Sequence, residues 1–385
     1  MKKVHVSSIL LSVILTLWGC NMQAQTLSET VGQHFRIGCA VNNTIVQNPQ
    51  SAAHKHVCNQ FNSVVAENCM KAQFLSPAEG VWNWSEADAF VAFGERNGMQ
   101  VIGHCLIWHS QTADWMFVDQ DGKEVSREIL IQRMHWYIRT VVGRYKGRIA
   151  GWDVCNECFE DDGTRRQSPW QRIIGDDYIE LAFRFAHEAD PDAELYYNDY
   201  SMSVPAKYEA VCRMVSDLKK KGLRIDAVGM QSHNGLTWPK LSNYDRAIDA
   251  IAATGVKVII SELDLNVLPN PDTFSGAEVT QFYEYTPELD PYAKGMDRTT
   301  EDLIGERWQA FFLLYRQHAE QIARVTFWAA GDADSWLNDW PIPGRHAYAT
   351  LFDRDYNPKS VVKEIIKMYE GQMYRYRYVR RTKDK

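Results

Sequence analysis

From residue 149 the chain reads Ile149-Ala150-Gly151-Trp152-Asp153-Val154-Cys155-Asn156, and after a polar stretch and an amphipathic run over 176–190 it reads Glu194-Leu195-Tyr196-Tyr197-Asn198. The two apolar segments are short and predict strands. The run between them is longer, with the spacing of a helix that covers one side of a sheet. Strand, helix, strand in that order is the repeating unit of an α/β fold.

The same alternation extends both ways from this unit. Towards the N-terminus it predicts strands over 35–41, 63–67 and 100–107; towards the C-terminus, over 227–231, 257–263 and 322–328. Helices are expected over 51–61, 85–97, 127–145, 205–221, 241–254 and 301–318, with a last one after Ser360. Eight strands, each followed by a helix, is the arithmetic of a (β/α)8 TIM barrel, an α/β fold in a single domain. A doubly wound open sheet competes with it, but that fold would want a Gly-rich turn after the first strand, and none stands there. No internal linker, low-complexity tract or repeat interrupts the pattern, so one domain is expected over 25–375. The basic stretch 376–385 has no apolar period to pack and is expected to be a solvated tail. The connection from Asn266 to Thr300 holds Pro269, Pro271, Pro287 and Pro291 and predicts an extended loop after the seventh strand, on the face where barrels assemble their sites.

Bulk properties narrow the function classes. With 42 Lys and Arg against 49 Asp and Glu, the 385-residue chain has a net charge of -7 and no basic block facing a partner, which argues against nucleic acid and anionic membranes. Aromatic content is high, at 13 Trp, 18 Tyr and 15 Phe. Residues 1–20 carry Lys2 and Lys3 ahead of an apolar run too short for a transmembrane span, as in an export signal. Its end, Leu17-Trp18-Gly19-Cys20, fits a lipid anchor on Cys20 of a periplasmic or cell-surface lipoprotein; ordinary cleavage, for instance after Ala24, and secretion is the alternative. The seven further cysteines, an odd number scattered through strands, do not form a disulfide framework and read as buried thiols. Cys155 and Cys158 have CxxC spacing, but no second pair completes a zinc site. No metal and no cofactor is expected, and a monomer is.

Polar residues gather at the carboxyl ends of the predicted strands: Glu67, Asn68 and Lys71; His104, Trp108, His109 and Gln111; Asn156 and Glu157; Asn198 and Asp199; Gln231 and His233; Glu262 and Asp264; Trp328. Seven such clusters on one rim mark a binding or catalytic face. Glu157 and Glu262 stand out because each closes an apolar strand, where a carboxylate is costly without partners or a task. Glycosidic cleavage needs two carboxyl groups, one protonated and one ionised, and a separation of about 5–5.5 Å goes with a covalent sugar intermediate and retained configuration. Glu262 and Asp264, two apart, share a face; Asp264 can orient His233, which then favours the ionised form of Glu262. Glu157 sits among Trp and Cys residues, an apolar surround that suits a proton donor. Asn156 and Glu157 are adjacent, so both reach the site only where a bulge or the strand's end re-aims one.

The sequence resembles glycoside hydrolase family 10, the endo-β-1,4-xylanases. The resemblance lies in Glu67-Asn68-Cys69-Met70-Lys71, Gly103-His104-Cys105-Leu106-Ile107-Trp108-His109-Ser110-Gln111, Trp152-Asp153-Val154-Cys155-Asn156-Glu157, Tyr197-Asn198-Asp199-Tyr200, Gly229-Met230-Gln231-Ser232-His233, Ser261-Glu262-Leu263-Asp264 and Thr326-Phe327-Trp328. It implies Glu157 as acid/base and Glu262 as nucleophile, with Asn156 on the 2-hydroxyl of the sugar being cleaved. It further implies that Glu67, Asn68, Lys71, His104, Trp108 and Gln231 line the glycone side, that His233 supports the nucleophile, and that Trp328 and Trp336 cover sugar faces and crowd a hydroxymethyl group. Xylan and xylo-oligosaccharides are then the implied partners. Cys at 69, 105 and 155 and Ala329 after Trp328 depart from the family's usual residues without removing a catalytic group.

Three other readings compete. A binding-only barrel predicts loss of one carboxylate, and both are present. A metal-dependent hydrolase has only His54-Lys55-His56 to offer, and that pair falls in a predicted helix rather than at a strand end. A β-1,4-glucanase or mixed-specificity enzyme shares the same machinery and differs only in relative rates on xylan and cellulose derivatives.

Overall fold

A computed structural model describes residues 25–274 and 278–371; the expected export signal, Cys20 and the basic tail lie outside them. Eight strands form the barrel: β1 (Arg36–Val41), β2 (Ser63–Ala66), β3 (Gln100–Ile107), β4 (Gly151–Asn156), β5 (Glu194–Asp199), β6 (Ala227–Met230), β7 (Lys257–Asn266) and β8 (Ile322–Phe327). Each pairs in parallel with its successor, and β8 returns to β1 through Arg36 opposite Arg324 and Cys39 opposite Phe327, which closes the sheet. The expected (β/α)8 barrel is the fold observed.

Eight helices follow the strands in turn: α1 (Ala52–Gln60), α2 (Ser85–Arg96), α3 (Arg127–Arg144), α4 (Tyr178–Ala189), α5 (Pro205–Lys220), α6 (Leu241–Ala253), α7 (Arg298–Gln317) and α8 (Ser360–Tyr369). Their starts are written in local chemistry. Ser51, Ser126 and Asp297 accept the orphan backbone N–H groups of His54, Ile129 and Thr300, and α5 opens on Pro205, whose missing N–H is no loss there. None of these helices is long and apolar enough to cross a membrane.

Two layers of core follow from the period of two along each strand. Val64, Val101, Leu195, Val258 and Ile260 face outwards and pack with helix residues such as Phe93, Ile138 and Phe183 in one continuous layer. Val65, Ile102, Tyr196, Ala227 and Ile259 face inwards and fill the barrel with Ala40, under Trp328. At about 1.5–3 kcal/mol per fully buried large side chain, these layers account for most of what holds the strand ends in place.

Elements too short for a 3.6-residue period to show escape the sequence reading. Asn43–Gln47 and Pro169–Ile174 are single helical turns in the connections after β1 and β4. The sixth strand stops at Met230, one residue early, because Ser232 takes a φ of +69°. The chain then resumes as a short ladder, His233–Gly235, alongside Asp264–Asn266 of β7.

Candidate active site

The rim expected from sequence is one cleft of about 910 Å³ at the carboxyl ends of the strands. It brings together Glu67, Asn68, Lys71, His104, Trp108, Asn156, Glu157, Gln231, His233, Glu262, Asp264, Trp328 and Trp336, the thirteen residues given a role above, together with Gln111, while His109, Asn198 and Asp199 of the expected rim do not line it.

Glu157 lies one residue past β4 with a φ of +58°, a left-handed backbone that a non-glycine residue adopts only when its surroundings impose it. The register of β4 against β5 shifts between Asp153 and Cys155, so the strand bends just before this point. Together these let Asn156 and Glu157 both face the cleft. The Glu157 N–H donates to the Asn198 carbonyl at 2.9 Å. Its carboxyl oxygens accept from Trp108 Nε1 at 2.8 Å on one side and from Gln231 Nε2 at 2.9 Å on the other. The apolar surround expected from sequence is therefore corrected: Trp108 offers its N–H, and amides complete the shell. Asn156 Nδ2 adds a longer bond, 3.3 Å, to Oε1. That orientation follows from Asn198, whose Nδ2 donates to Asn156 Oδ1 at 2.8 Å; turned over, the Asn156 amide would set two NH2 groups face to face. His109 Nδ1 lies 3.9 Å from Glu157 Oε2, too far for a hydrogen bond, and burial lowers this histidine to about 4, so it stays neutral.

Glu262 reaches the cleft by a bulge. Along β7, Ile259 faces the barrel interior while Val258 and Ile260 face the helices. The register against β8 shifts between Ile260 and Leu263; past it Leu263 and Leu265 face outwards, and Glu262 and Asp264 turn in. Glu262 N donates to the Gln231 carbonyl at 2.9 Å. One carboxylate oxygen accepts from Asn198 Nδ2 at 2.7 Å and the other from His233 Nε2 at 3.3 Å. Burial pushes the Glu262 pKa up, but the His233 bond, the fields of His104 and His233 and the Asn198 amide outweigh it, and the net is a lowered value. Burial works against the charged form of His233 too, yet Asp264 at 2.8 Å and Glu262 raise it to about 10, so it is an imidazolium donating from both nitrogens. Trp336 Nε1 donates to the same Asp264 oxygen at 2.9 Å.

Asn198, named in the sequence without a role, joins the two halves. Its Nδ2 reaches Asn156 and Glu262, and its Oδ1 accepts from Ser261 Oγ at 2.5 Å. Gly229 makes room for it: a Cβ there would stand 2.3 Å from Asn198 Oδ1.

Away from the carboxylates, Lys71 Nζ donates to Asn68 Oδ1 at 2.9 Å and Gln111 Oε1 at 2.8 Å and sits 5.1 Å from the Trp108 ring centre. Burial lowers its pKa against the pull of Cys105 and Glu67, while burial raises that of Glu67 despite Lys71. His104 is held by Asp153 at 2.9 Å and meets Trp328 edge-on at 5.2 Å. Trp336 stacks face to face on Trp340 at 4.6 Å and meets the His233 ring at a tilt, 5.0 Å away. The long loop after β7 does border the site, through Asn270, Phe274 and Phe282. Tyr200, Trp238 and Trp340 also line the cleft; their sequence signal, an exposed ring beside a strand end, is too common to single them out. His54 and His56 are spent elsewhere, on the carbonyls of Ile45 at 2.9 Å and Ala330 at 3.1 Å, and are not convergent. Cys155 and Cys158 are free, buried thiols.

The glycosyl hydrolase family 10 model matches residues 26–368. This chain belongs to glycosyl hydrolase family 10. Among its relatives, endo-1,4-beta-xylanase A of Xylanibacter ruminicola is 52% identical over 345 residues, covering 90% of this chain and 94% of its own. An endo-1,4-beta-xylanase of Geobacillus stearothermophilus is 37% identical, covering 89% and 98%. Among solved structures, a family 10 endoxylanase from a sugarcane soil metagenome superposes with a TM-score of 0.83 at 41% identity, covering 88% of this chain and 98% of its own. The family 10 barrel thus accounts for all the described residues but a few at the ends.

Proposed function

We propose that this chain hydrolyses internal β-1,4-xylosidic bonds of xylan with retention of configuration, as an endo-1,4-β-xylanase. The observation that carries the reading is the pair of buried glutamates, Glu157 and Glu262, bridged through Asn156 and Asn198, within a family whose curated relatives are named endo-1,4-beta-xylanases.

In the first step Glu157 donates its proton to the glycosidic oxygen as the Glu262 carboxylate attacks the anomeric carbon. The leaving chain departs and a glycosyl ester forms on Glu262. In the second, Glu157, now a carboxylate, takes a proton from water, which attacks the anomeric carbon and frees Glu262. The imidazolium of His233, set by Asp264, keeps Glu262 ionised and ready to attack. Asn156 meets the 2-hydroxyl of the sugar being cleaved. Glu67, Asn68, Lys71, His104, Trp108 and Gln231 bind the glycone, and Trp328 and Trp336 cover sugar faces and leave little room for a hydroxymethyl group.

Residues 1–20 serve as an export signal, with a lipid anchor at Cys20 and periplasmic or cell-surface placement, or ordinary cleavage and secretion. The barrel spans 25–375, the basic tail 376–385, and the enzyme acts as a monomer on xylan and xylo-oligosaccharides.

The test is reducing-sugar release from xylan and carboxymethyl cellulose by wild type and Glu262→Ala. Xylan cleavage that falls by more than about 10⁴ in the variant, beyond the share of an ordinary acid–base group, supports the assignment. Cleavage that survives in the variant removes Glu262 as nucleophile. A wild type faster on the cellulose derivative makes the chain a glucanase.

A further inference from the structure

The acid's awkward backbone has a clamp. Glu157 sits in the left-handed region at φ +58°, which is unfavourable for a residue with a side chain and persists only where neighbours hold it. Its N–H is held by β5. Its carbonyl accepts from Arg166 Nε at 2.8 Å, from a guanidinium that comes out of the connection after β4 and is largely covered. The same guanidinium donates through Nη2 to the Tyr200 hydroxyl at 2.5 Å and lies 3.4 Å from Glu160. Tyr200 lines the cleft, and its other support is the ammonium of Lys207, 3.6 Å from the ring centre. Lys207 is itself buried and anchored on Asp199 at 2.8 Å. One planar fork therefore ties the carbonyl of the acid to a ring of the cleft wall, with geometry that only a guanidinium supplies.

We propose that Arg166 is a positioning residue for proton donation: it fixes the direction of the Glu157 side chain by gripping its carbonyl, and sets Tyr200 against the departing sugar in the same contact. It touches neither anomeric carbon nor nucleophile, so its loss slows only steps in which Glu157 moves a proton to or from a sugar resting on Tyr200. A sugar leaving group needs that proton. A dinitrophenolate does not, so attack by Glu262 on a dinitrophenyl xylobioside is indifferent to the clamp.

This inference rests on the reading of Glu157 as the acid, and the experiment separates the two. Arg166→Met, Arg166→Lys and Glu157→Ala are compared with wild type by kcat/KM on xylohexaose and on 2,4-dinitrophenyl xylobioside, with circular dichroism and thermal melts as the check on folding. Arg166→Met is expected to lose at least about tenfold on xylohexaose and to stay within about threefold on the dinitrophenyl substrate, a part of the 10²–10⁴ that general acid catalysis supplies. Arg166→Lys, with a single donor head, is expected to fall between. Equal losses on both substrates, or none, in a folded Arg166→Met overturn the clamp; should Met unfold the chain, the same ratio in Arg166→Lys decides. Equal losses on both substrates in Glu157→Ala overturn the assignment of the acid instead.

Discussion

At the scale of single residues, two glutamates with the same side chain are set apart by what donates to them. Glu262 has an imidazolium on one oxygen and an amide on the other, and its pKa is held down in spite of burial. Replacing His233 with Asn removes the positive charge and leaves burial to dominate, so the Glu262 value rises. A nucleophile works ionised, so the acid limb of the kcat/KM profile is expected to move to higher pH in His233→Asn, with the alkaline limb in place. An unmoved acid limb in a folded variant would detach His233 from the nucleophile. Glu157 and Glu262 are legible in the sequence because a carboxylate at the end of an apolar strand demands an explanation. Asn198 is not: Tyr197-Asn198-Asp199 reads the same whether its amide is solvated or bridges two buried glutamates. The donors around Glu157 are hidden for a related reason, since a Trp in a sequence does not tell whether it will present its face or its N–H.

Elements divide into those written in a period and those written in an exception to it. The eight strands and eight helices fall within a few residues of where alternation and amphipathicity place them. The bulge at Glu262 breaks that rule: counted in twos from the outward Val258, Glu262 would face the helices, and only the register shift beyond Ile260 turns it in. The loop after β7 is legible as a loop from its prolines, but its fastening is not, because the partners lie far along the chain. Buried Asp290 accepts from the His346 N–H at 3.0 Å and from its ring at 2.8 Å, and Arg345 donates to the Pro269 carbonyl at 2.9 Å. Burial raises the Asp290 pKa, the His346 bonds lower it further, and the net is a depressed value. Its contribution is therefore complete above the ordinary carboxylate value of 3.8 and lost as pH falls below it. Asp290→Ala is expected to cost about 1–3 kcal/mol of local anchoring and to open the loop to limited proteolysis between 267 and 297 at neutral pH. A loop that stays uncut in the variant would show that the other contacts suffice.

For the whole molecule, the groups proposed to serve chemistry also shape stability. His233 has a value near 10 in the folded chain against 6.5 when exposed, so its ion pairs favour the folded state fully below about pH 6.5 and lose that contribution as pH rises towards 10. The thermal midpoint of wild type is expected to fall towards that of His233→Asn over this window, and a gap that stays constant from pH 6.5 to 10 would contradict the pairing. The barrel has a second consequence. The main-chain N–H of each glutamate is fixed by the neighbouring strand, Glu157 on the Asn198 carbonyl and Glu262 on the Gln231 carbonyl. The gap between the two carboxyl groups is thus spanned by the ladder from β4 to β7, while the surrounding loops only meet the polymer. Loops can be lengthened, shortened or exchanged to suit a different decorated chain without resetting that gap. The anomeric outcome is a gauge cut into the frame, and diversification of the rim leaves it untouched.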